Sequence, residues 1–245
     1  MSEAVPERIA GGGPLLLLCD HASDHVPADI NLGIDPALLG KHIAVDIGAG
    51  PLTRALAARL RCPALLGTVS RLVIDLHRQA DHPGLIPPVS DGHVIPGNAD
   101  PDRAGRIARF HGPYHRAIDA EVRATRPKLI LAIHSFTPRL EAGNAPQRRW
   151  EVGILYNRDT RAARLALDWL RAQGLTVGDQ EPYSGRVLNA TLNRHAEANG
   201  IPSCAIEVRN DLIRDAAGVA RWADLLAAMA RALAAGLALE LAPAA

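Results

Sequence analysis

The feature that most constrains the fold is the alternation of short apolar runs with stretches of helical periodicity. Helical spacing of apolar residues predicts helices at residues 47–60, 113–125, 160–173, 189–199 and 218–240. Apolar runs of strand length occur at residues 14–19, 63–69, 71–76, 128–134, 151–157 and 202–208. Strands that alternate with helices predict an α/β fold, in which a mostly parallel or mixed sheet carries helices on both faces.

The length of the chain fits a single domain of this class. A chain of 245 residues is long enough for a substantial core, and α/β domains of about 200 to 250 residues are common. We therefore predict one domain over residues 1–245, with residues 1–13 flexible and residues 216–245 forming a C-terminal helical segment. The apolar face of that segment could pack on the domain or contact a second subunit, so a homo-oligomer is possible.

Composition excludes several classes of protein. The net charge of +1, without a basic stripe of interleaved aromatic residues, argues against a nucleic-acid partner. Three cysteines without a CxxC pair indicate neither a disulfide framework nor a zinc knuckle. The sequence has no apolar run near the roughly 20 residues needed to span a membrane and no visible export signal. We expect a cytoplasmic protein with a small-molecule substrate and no membrane partner.

Histidines stand at the ends of two apolar runs. In "LLLLCDHASDHVP", residues 15–27, His21 and Asp24 follow the run, and in "LILAIHSF", residues 129–136, His134 and Ser135 end it. Catalytic zinc commonly takes three protein ligands from His, Asp and Glu, and His21, Asp24 and His134 satisfy that count. The alternative is that each is a loop-end residue hydrogen-bonded to the backbone.

Two further motifs carry charges within apolar surroundings. In "SCAIEVRNDLI", residues 203–213, Glu207 lies inside an apolar run, so it must be paired, metal-bound or shifted in pKa, and it is a candidate general base. In "SRLVIDLHR", residues 70–78, a strand would place Arg71 on the same face as Asp75. Arg71 and Arg78 could bind substrate carboxylates in a bidentate manner, and structural ion pairs are the alternative for all three charged groups.

Two long loops and one histidine pair complete the pattern. Residues 78–102 and 136–150 are rich in turn-forming residues and lack periodicity, which is typical of lids or binding loops. His111 and His115 have HxxxH spacing, but Pro113 favours a helix that begins there. We therefore predict that His111 lies outside the helix and that the pair is not the metal site.

Six motifs, taken in order and spacing over residues 14–213, resemble the N-formylglutamate amidohydrolase family. They are "DHASDHVP", "VDIGA", "SRLVIDLHR", "AIHSF", "EPYSGR" and "AIEVRNDLI". The resemblance implies the α/β fold of zinc-dependent exopeptidases, a phosphorylase/hydrolase-like architecture. It also implies one zinc ion per chain and hydrolysis of an N-acyl amino acid, first of all N-formyl-L-glutamate to formate and L-glutamate. A deacylase for another N-acyl amino acid, or a metal-free binding protein on the same scaffold, are the alternatives.

The resemblance also implies roles for individual residues. His21 and His134 match the two imidazole ligands and Glu207 matches the base. Asp24 matches the carboxylate ligand, although the relatives have Glu there, and His77 stands where the family more often has Asn. The residues expected to contact the substrate are the arginines nearest the motifs and the serine after the second histidine, namely Arg71, Arg78, Arg186, Arg209 and Ser135.

Overall fold

The computed structural model describes residues 4–241, and within them the chain forms a three-layer α/β domain. The strands are β1 (Glu7–Ile9), β2 (Leu15–Cys19), β3 (Ala64–Leu66), β4 (Val89–Ser90), β5 (His93–Val94), β6 (Leu129–Phe136), β7 (Val152–Leu155), β8 (Val177–Asp179) and β9 (Ser203–Arg209). The α-helices are α1 (Ala49–Leu60), α2 (Arg103–Arg106), α3 (Gly112–Thr125), α4 (Arg161–Ala172), α5 (Ala190–His195) and α6 (Ala216–Gly236).

The main sheet has seven strands in the order β1-β3-β2-β6-β9-β7-β8. Strands β3, β2, β6 and β9 run parallel, whereas β1 is antiparallel to β3 and β7 is antiparallel to β9. Parallel strands buried on both faces read as continuous apolar runs, which explains why Leu15–Leu18 are all fully buried. The predicted single-domain α/β fold with a mostly parallel, mixed sheet is therefore confirmed.

Helices cover both faces of the sheet. One apolar core joins α1, α4 and α6 to the sheet through residues such as Leu56, Leu170 and Leu226. The other core joins α3 and α5 to the opposite face through Tyr114 and Leu192. Within residues 4–241, none of the helices combines the length and the apolar character required to cross a bilayer.

The structure differs from the sequence prediction at the segment 71–76, which is irregular and not a strand. Ser70 turns the chain, because its carbonyl accepts hydrogen bonds from the backbone N–H groups of Val73 and Ile74. Its hydroxyl oxygen also accepts one from the N–H of Leu72. These local hydrogen bonds use backbone N–H groups that would otherwise pair with a neighbouring strand. The apolar run is therefore buried without joining the sheet.

The chain ends also differ from the prediction. Glu7–Ile9, expected to be flexible, form the edge strand β1, because their backbone pairs with β3. The C-terminal helix α6 ends at Gly236, and residues 1–3 and 242–245 of the predicted terminal segments lie outside the described residues.

The helix before β6 begins earlier than Pro113. Residues Arg103–Thr125 form one helical segment, in which a π-helical turn at Ile107–His111 joins α2 to α3. His111 therefore lies within the helical segment, and its ring centroid is 4.2 Å from that of His115. The prediction that His111 stands outside the helix was wrong, because the π turn continues the backbone through the residues before the proline.

Candidate active site

The candidate site lies at the carboxyl ends of the central parallel strands. His21 follows β2 by two residues, His134 lies in β6 and Glu207 lies in β9. His134 and Glu207 are register partners on neighbouring strands, so their side chains leave the sheet on the same side. The order of the sheet thus gathers three groups that are far apart along the chain.

Both imidazoles present Nδ1 to the same carboxylate oxygen. The Nδ1 atom of His21 is 3.3 Å from Oδ2 of Asp46, and the Nδ1 atom of His134 is 2.9 Å from that oxygen. The backbone N–H of Asp46 donates to the carbonyl of His21, which fixes the chain that enters α1 beside the first histidine. His21, Asp46 and His134 therefore form one compact group of potential metal ligands.

The outer nitrogen of each imidazole faces another buried carboxylate. The Nε2 atom of His21 hydrogen-bonds Oδ1 of Asp75 at 2.6 Å, and Nε2 of His134 lies 3.2 Å from Oδ2 of Asp20. Histidines that bind metals commonly have a carboxylate or carbonyl at the second nitrogen, which fixes the tautomer and the ring orientation. The two rings are oriented as metal ligands would be.

A second potential ligand group shares His134 and consists of Asp20, His77 and His134. Asp20 is fully buried and lies outside the cavity lining, and its Oδ1 accepts a hydrogen bond from the hydroxyl of Thr191. The Nδ1 atom of His77 is 2.9 Å from Oδ2 of Asp20. His21, Asp46 and His134 all line the cavity, whereas Asp20 does not, so the first group is the one in contact with the cavity.

The charges around the two imidazoles favour a divalent cation. Four carboxylates and two guanidinium groups lie together here. When all of them are ionised and the histidines are neutral, the cluster has two more negative than positive charges. These groups are Asp20, Asp46, Asp75, Glu207, Arg71 and Arg78. Two nitrogens and one carboxylate oxygen are also the donor types of catalytic zinc sites. The residues present therefore fit a metal ion.

Opposite charges control the pKa values of the proposed ligands. Burial alone would raise the pKa of Asp46, but His21, His134 and Arg71 outweigh burial and lower that pKa below its usual range. Burial and Arg71 lower the pKa of His21, yet Asp75 and Asp46 outweigh them and raise it. Without metal, protons on the imidazoles supply part of the missing positive charge.

The second imidazole follows the same pattern. Burial lowers the pKa of His134, but the carboxylates of Asp20 and Asp46 outweigh burial and hold that pKa well above its ordinary value. A proton bound this firmly competes with a metal ion for the same nitrogen.

Glu207 has the environment of a general base. Its side chain is buried, and burial raises its pKa from 4.5 to about 7, with Asp46 adding to the rise against the opposing effects of His134, Arg71 and His21. Among the described residues, its Oε2 atom has no hydrogen-bond partner. A carboxylate with one unsatisfied oxygen beside a cavity can exchange protons with a bound water or substrate near neutral pH.

The cavity next to these groups has a volume of about 280 Å³ and receives two of the four predicted arginines, Arg71 and Arg78. Arg71 bridges two carboxylates, with Nη1 3.1 Å from Asp46 and Nη2 2.9 Å from Asp75. Arg78 is less engaged, because its Nε lies 3.5 Å from Asp75 and has no hydrogen-bond partner among the described residues. Ser135 also lines the cavity, but its hydroxyl donates to the carbonyl of Ile47.

Three predicted residues lie away from the cavity. Asp24 is exposed to solvent and belongs to neither ligand group, so the structure does not support it as a ligand and puts Asp46 in that place. Arg186 is exposed beyond the cavity lining. Arg209 pairs with Asp211 at 2.8 Å and donates to the carbonyl of Trp150. All three residues lie within the motifs, so membership of a motif does not by itself place a side chain at the cavity.

The two long loops meet over the rim of the cavity. Asp91, in the first loop, accepts hydrogen bonds from the backbone N–H groups of Glu141 and Ala142 in the second. The ring of His42 also lies 2.8 Å from Asp91. This rim clasp, centred on Asp91, holds the loops next to the site, as expected for binding loops.

Sequence reasoning missed Asp46 and Asp75 as parts of the site. Asp46 precedes the first turn of α1 within the motif "VDIGA", and Asp75 lies inside the apolar run 71–76. In each case the available signal was an acidic side chain among apolar neighbours, as for Glu207, since such a group requires a partner.

Comparisons with known proteins agree with the geometry. A gene product of Agrobacterium tumefaciens has a structure with a TM-score of 0.88 and 33% identity, over 94% of this chain and 95% of that one. An N-formylglutamate amidohydrolase from Ralstonia eutropha shares the fold with a TM-score of 0.66 and 22% identity, over 96% of each chain. No curated protein matches the sequence significantly. The N-formylglutamate amidohydrolase family model matches residues 13–214, and the chain belongs to that family.

Proposed function

We propose that the protein is a zinc-dependent hydrolase that cleaves the amide bond of an N-acyl amino acid. The observation that carries the proposal is the convergence of two imidazole Nδ1 atoms on one oxygen of Asp46, beside a buried glutamate at a cavity. Membership of an amidohydrolase family supports the same reaction type.

The metal ligands in this proposal are His21, Asp46 and His134, one zinc ion per chain. Zinc bound in such a site supplies a Lewis acid that polarises a carbonyl and acidifies water. Asp75 and Asp20 orient the two imidazoles through their outer nitrogens. Mutations of such supporting carboxylates typically weaken metal affinity or activity by about 10- to 100-fold.

Glu207 acts as the general base and then as the general acid. Its carboxylate, which lines the cavity, accepts a proton from the attacking water and returns it to the departing amine nitrogen. Arg71 bridges Asp46 and Asp75 and so fixes both carboxylates relative to the imidazoles. Glu207 lies in β9, and the hydrogen bonds of Arg71 to Asp46 and Asp75 form without substrate, so these positions are set before substrate enters.

Arg78 binds the substrate carboxylate in this proposal, since its guanidinium lines the cavity and is only weakly paired with Asp75. N-formyl-L-glutamate is the first substrate to test, because the family model bears that name. Other N-formyl, N-acetyl and N-succinyl amino acids belong in the same panel, since the cavity also has apolar walls at Phe136 and Leu155.

The test combines metal analysis with an amine-release assay over that panel. Zinc-loaded wild-type protein should release amine and lose activity after chelation, and it should regain activity on addition of zinc. Asp46→Asn should bind zinc at least about tenfold more weakly. Asp24→Asn, the matched control, should retain zinc and turnover. Metal-independent release, or equal zinc binding by Asp46→Asn and wild type, would reject the proposal, and binding of the panel without turnover would favour a binding protein.

A further inference from the structure

The segment Ser70–Arg78 brings charged groups to the site without regular secondary structure. Arg71, His77 and Arg78 line the cavity, and Asp75 holds His21. The backbone of this segment runs through the interior, where Leu72, Val73 and Ile74 are fully buried. Buried carbonyl groups outside helices and strands need other donors.

Side chains from one neighbouring region supply those donors. The Nδ2 atom of Asn98 donates to the carbonyl of Leu72 at 2.7 Å. The Nη1 atom of Arg106 donates to the carbonyl of Val73 at 2.9 Å. Asn98 and Arg106 also bind each other at 2.7 Å, so the first half of the segment rests on a linked pair.

Two histidines hydrogen-bond to backbone carbonyls in the second half of the segment. The Nε2 atom of His115 lies 3.1 Å from the carbonyl oxygen of Leu76, and Nε2 of His111 lies 2.9 Å from that of Arg78. The two carbonyls flank His77, and the second belongs to the arginine that enters the cavity. Both histidines are buried and lie outside the metal-ligand groups.

The proton positions follow from the partners. A carbonyl oxygen only accepts, so His115 donates from Nε2, and its Nδ1 accepts from Nε2 of His195 at 2.7 Å. Burial lowers the pKa of His195, although the carboxylate of Asp119, 2.8 Å from Nδ1 of that ring, opposes the lowering. Burial also lowers the pKa of His115 to about 3, which keeps His115 neutral with its proton on Nε2.

The helical segment is built to place both rings. The π turn ends at His111, and it alters the face on which the following residues lie relative to Arg106. Arg106, His111 and His115 then all reach the same buried segment. Turns of this type occur frequently at functional sites.

We propose that His111 and His115 are positioning residues, which hold the carbonyls of Leu76 and Arg78 so that the Arg78 guanidinium faces the substrate. The role rests on the proposed function, because it acts through Arg78. The metal ligands and Glu207 lie on other elements, and Asp75, which contacts His21, is anchored separately because its backbone N–H donates to the carbonyl of Leu85. Loss of the two histidine contacts should therefore weaken substrate binding far more than the chemical step.

The test compares His115→Phe, which removes the donor, with His115→Gln, whose amide can restore a donor near the Nε2 position. His115→Phe should raise KM about tenfold with less than about a threefold change in kcat, and His115→Gln should recover most of that loss. Ile118→Ala on the same helix is the control for lost packing, and it should lower stability without raising KM. Equal KM values for His115→Phe and wild type, or equal KM increases for His115→Phe and Ile118→Ala, would overturn the inference.

Two further measurements separate this inference from the proposed function. In a double-mutant cycle, adding His115→Phe to Arg78→Ala should change KM by less than about twofold, because the group it positions is absent. Full additivity would refute the role. Hydrogen exchange of residues 70–78 needs no substrate, and His115→Phe should accelerate it while leaving β6 unchanged. If the wild type turns over no compound in the panel, the enzymatic proposal is rejected. In that case, unchanged hydrogen exchange in His115→Phe also refutes the role of His115, whereas accelerated exchange supports that role.

Discussion

Replacement of Glu207 by Gln should stabilise the metal-free protein while nearly abolishing turnover. Burial raises the pKa of Glu207 from 4.5 to about 7, so ionisation of this carboxyl opposes folding. The folded pKa exceeds the unfolded one, and stability from the protonated form is therefore lost as the pH rises from 4.5 to 7. The loss amounts to about 1 kcal/mol at pH 5 and about 3 kcal/mol at pH 8. Gln has the same shape and avoids that loss.

The assay is urea-induced unfolding of both proteins in the presence of a chelator, at several pH values between 5 and 8. The stability difference in favour of Glu207→Gln should grow with pH and level off above pH 7. Zinc should reduce the difference, because a nearby cation favours the ionised carboxyl.

Glu121 offers a matched control on a structural ion pair. Its carboxylate is also buried, but it pairs with Arg8 at 2.7 Å, so Glu121→Gln should destabilise the protein. A pH-independent difference between Glu207→Gln and wild type would refute the reasoning about burial. Turnover by zinc-loaded Glu207→Gln equal to that of wild type would refute the role as base.

Three further predictions concern the site. Arg78→Ala should raise KM by about 10- to 150-fold, since a charged hydrogen bond contributes about 1.5 to 3 kcal/mol, whereas exposed Arg186→Ala should leave KM unchanged in the same kinetic assay. Zinc affinity should fall as pH decreases, because His21 and His134 have raised pKa values and must lose protons to bind metal; calorimetry in buffers of different ionisation enthalpy should detect proton release, and its absence would contradict this. Asp91→Ala should break the rim clasp and speed proteolysis within residues 137–150, and an unchanged cleavage rate would show that other contacts hold the loops.

The sequence by itself determined the alternation of strands and helices and the groups that end the strands. Continuous apolar runs such as Leu15–Leu18 report burial on both faces, and this burial is a local property of the chain. The same local logic singled out His21 and His134 at strand ends and Glu207 inside an apolar run. Because parallel strands share an edge, their ends could be expected to meet there.

Only the tertiary structure decided which carboxylate joins the two imidazoles. Asp24 has the right spacing from His21, but the chain carries it into solvent, and Asp46 enters from the start of α1 instead. Likewise, the apolar pattern of a segment predicts a strand, but a strand forms only where a neighbouring strand is available to pair with its backbone. Residues 71–76 form an irregular segment because distant side chains, among them His115, satisfy its backbone. Spacing describes the neighbours of a residue along the chain, whereas these choices depend on contacts between elements that only folding brings together.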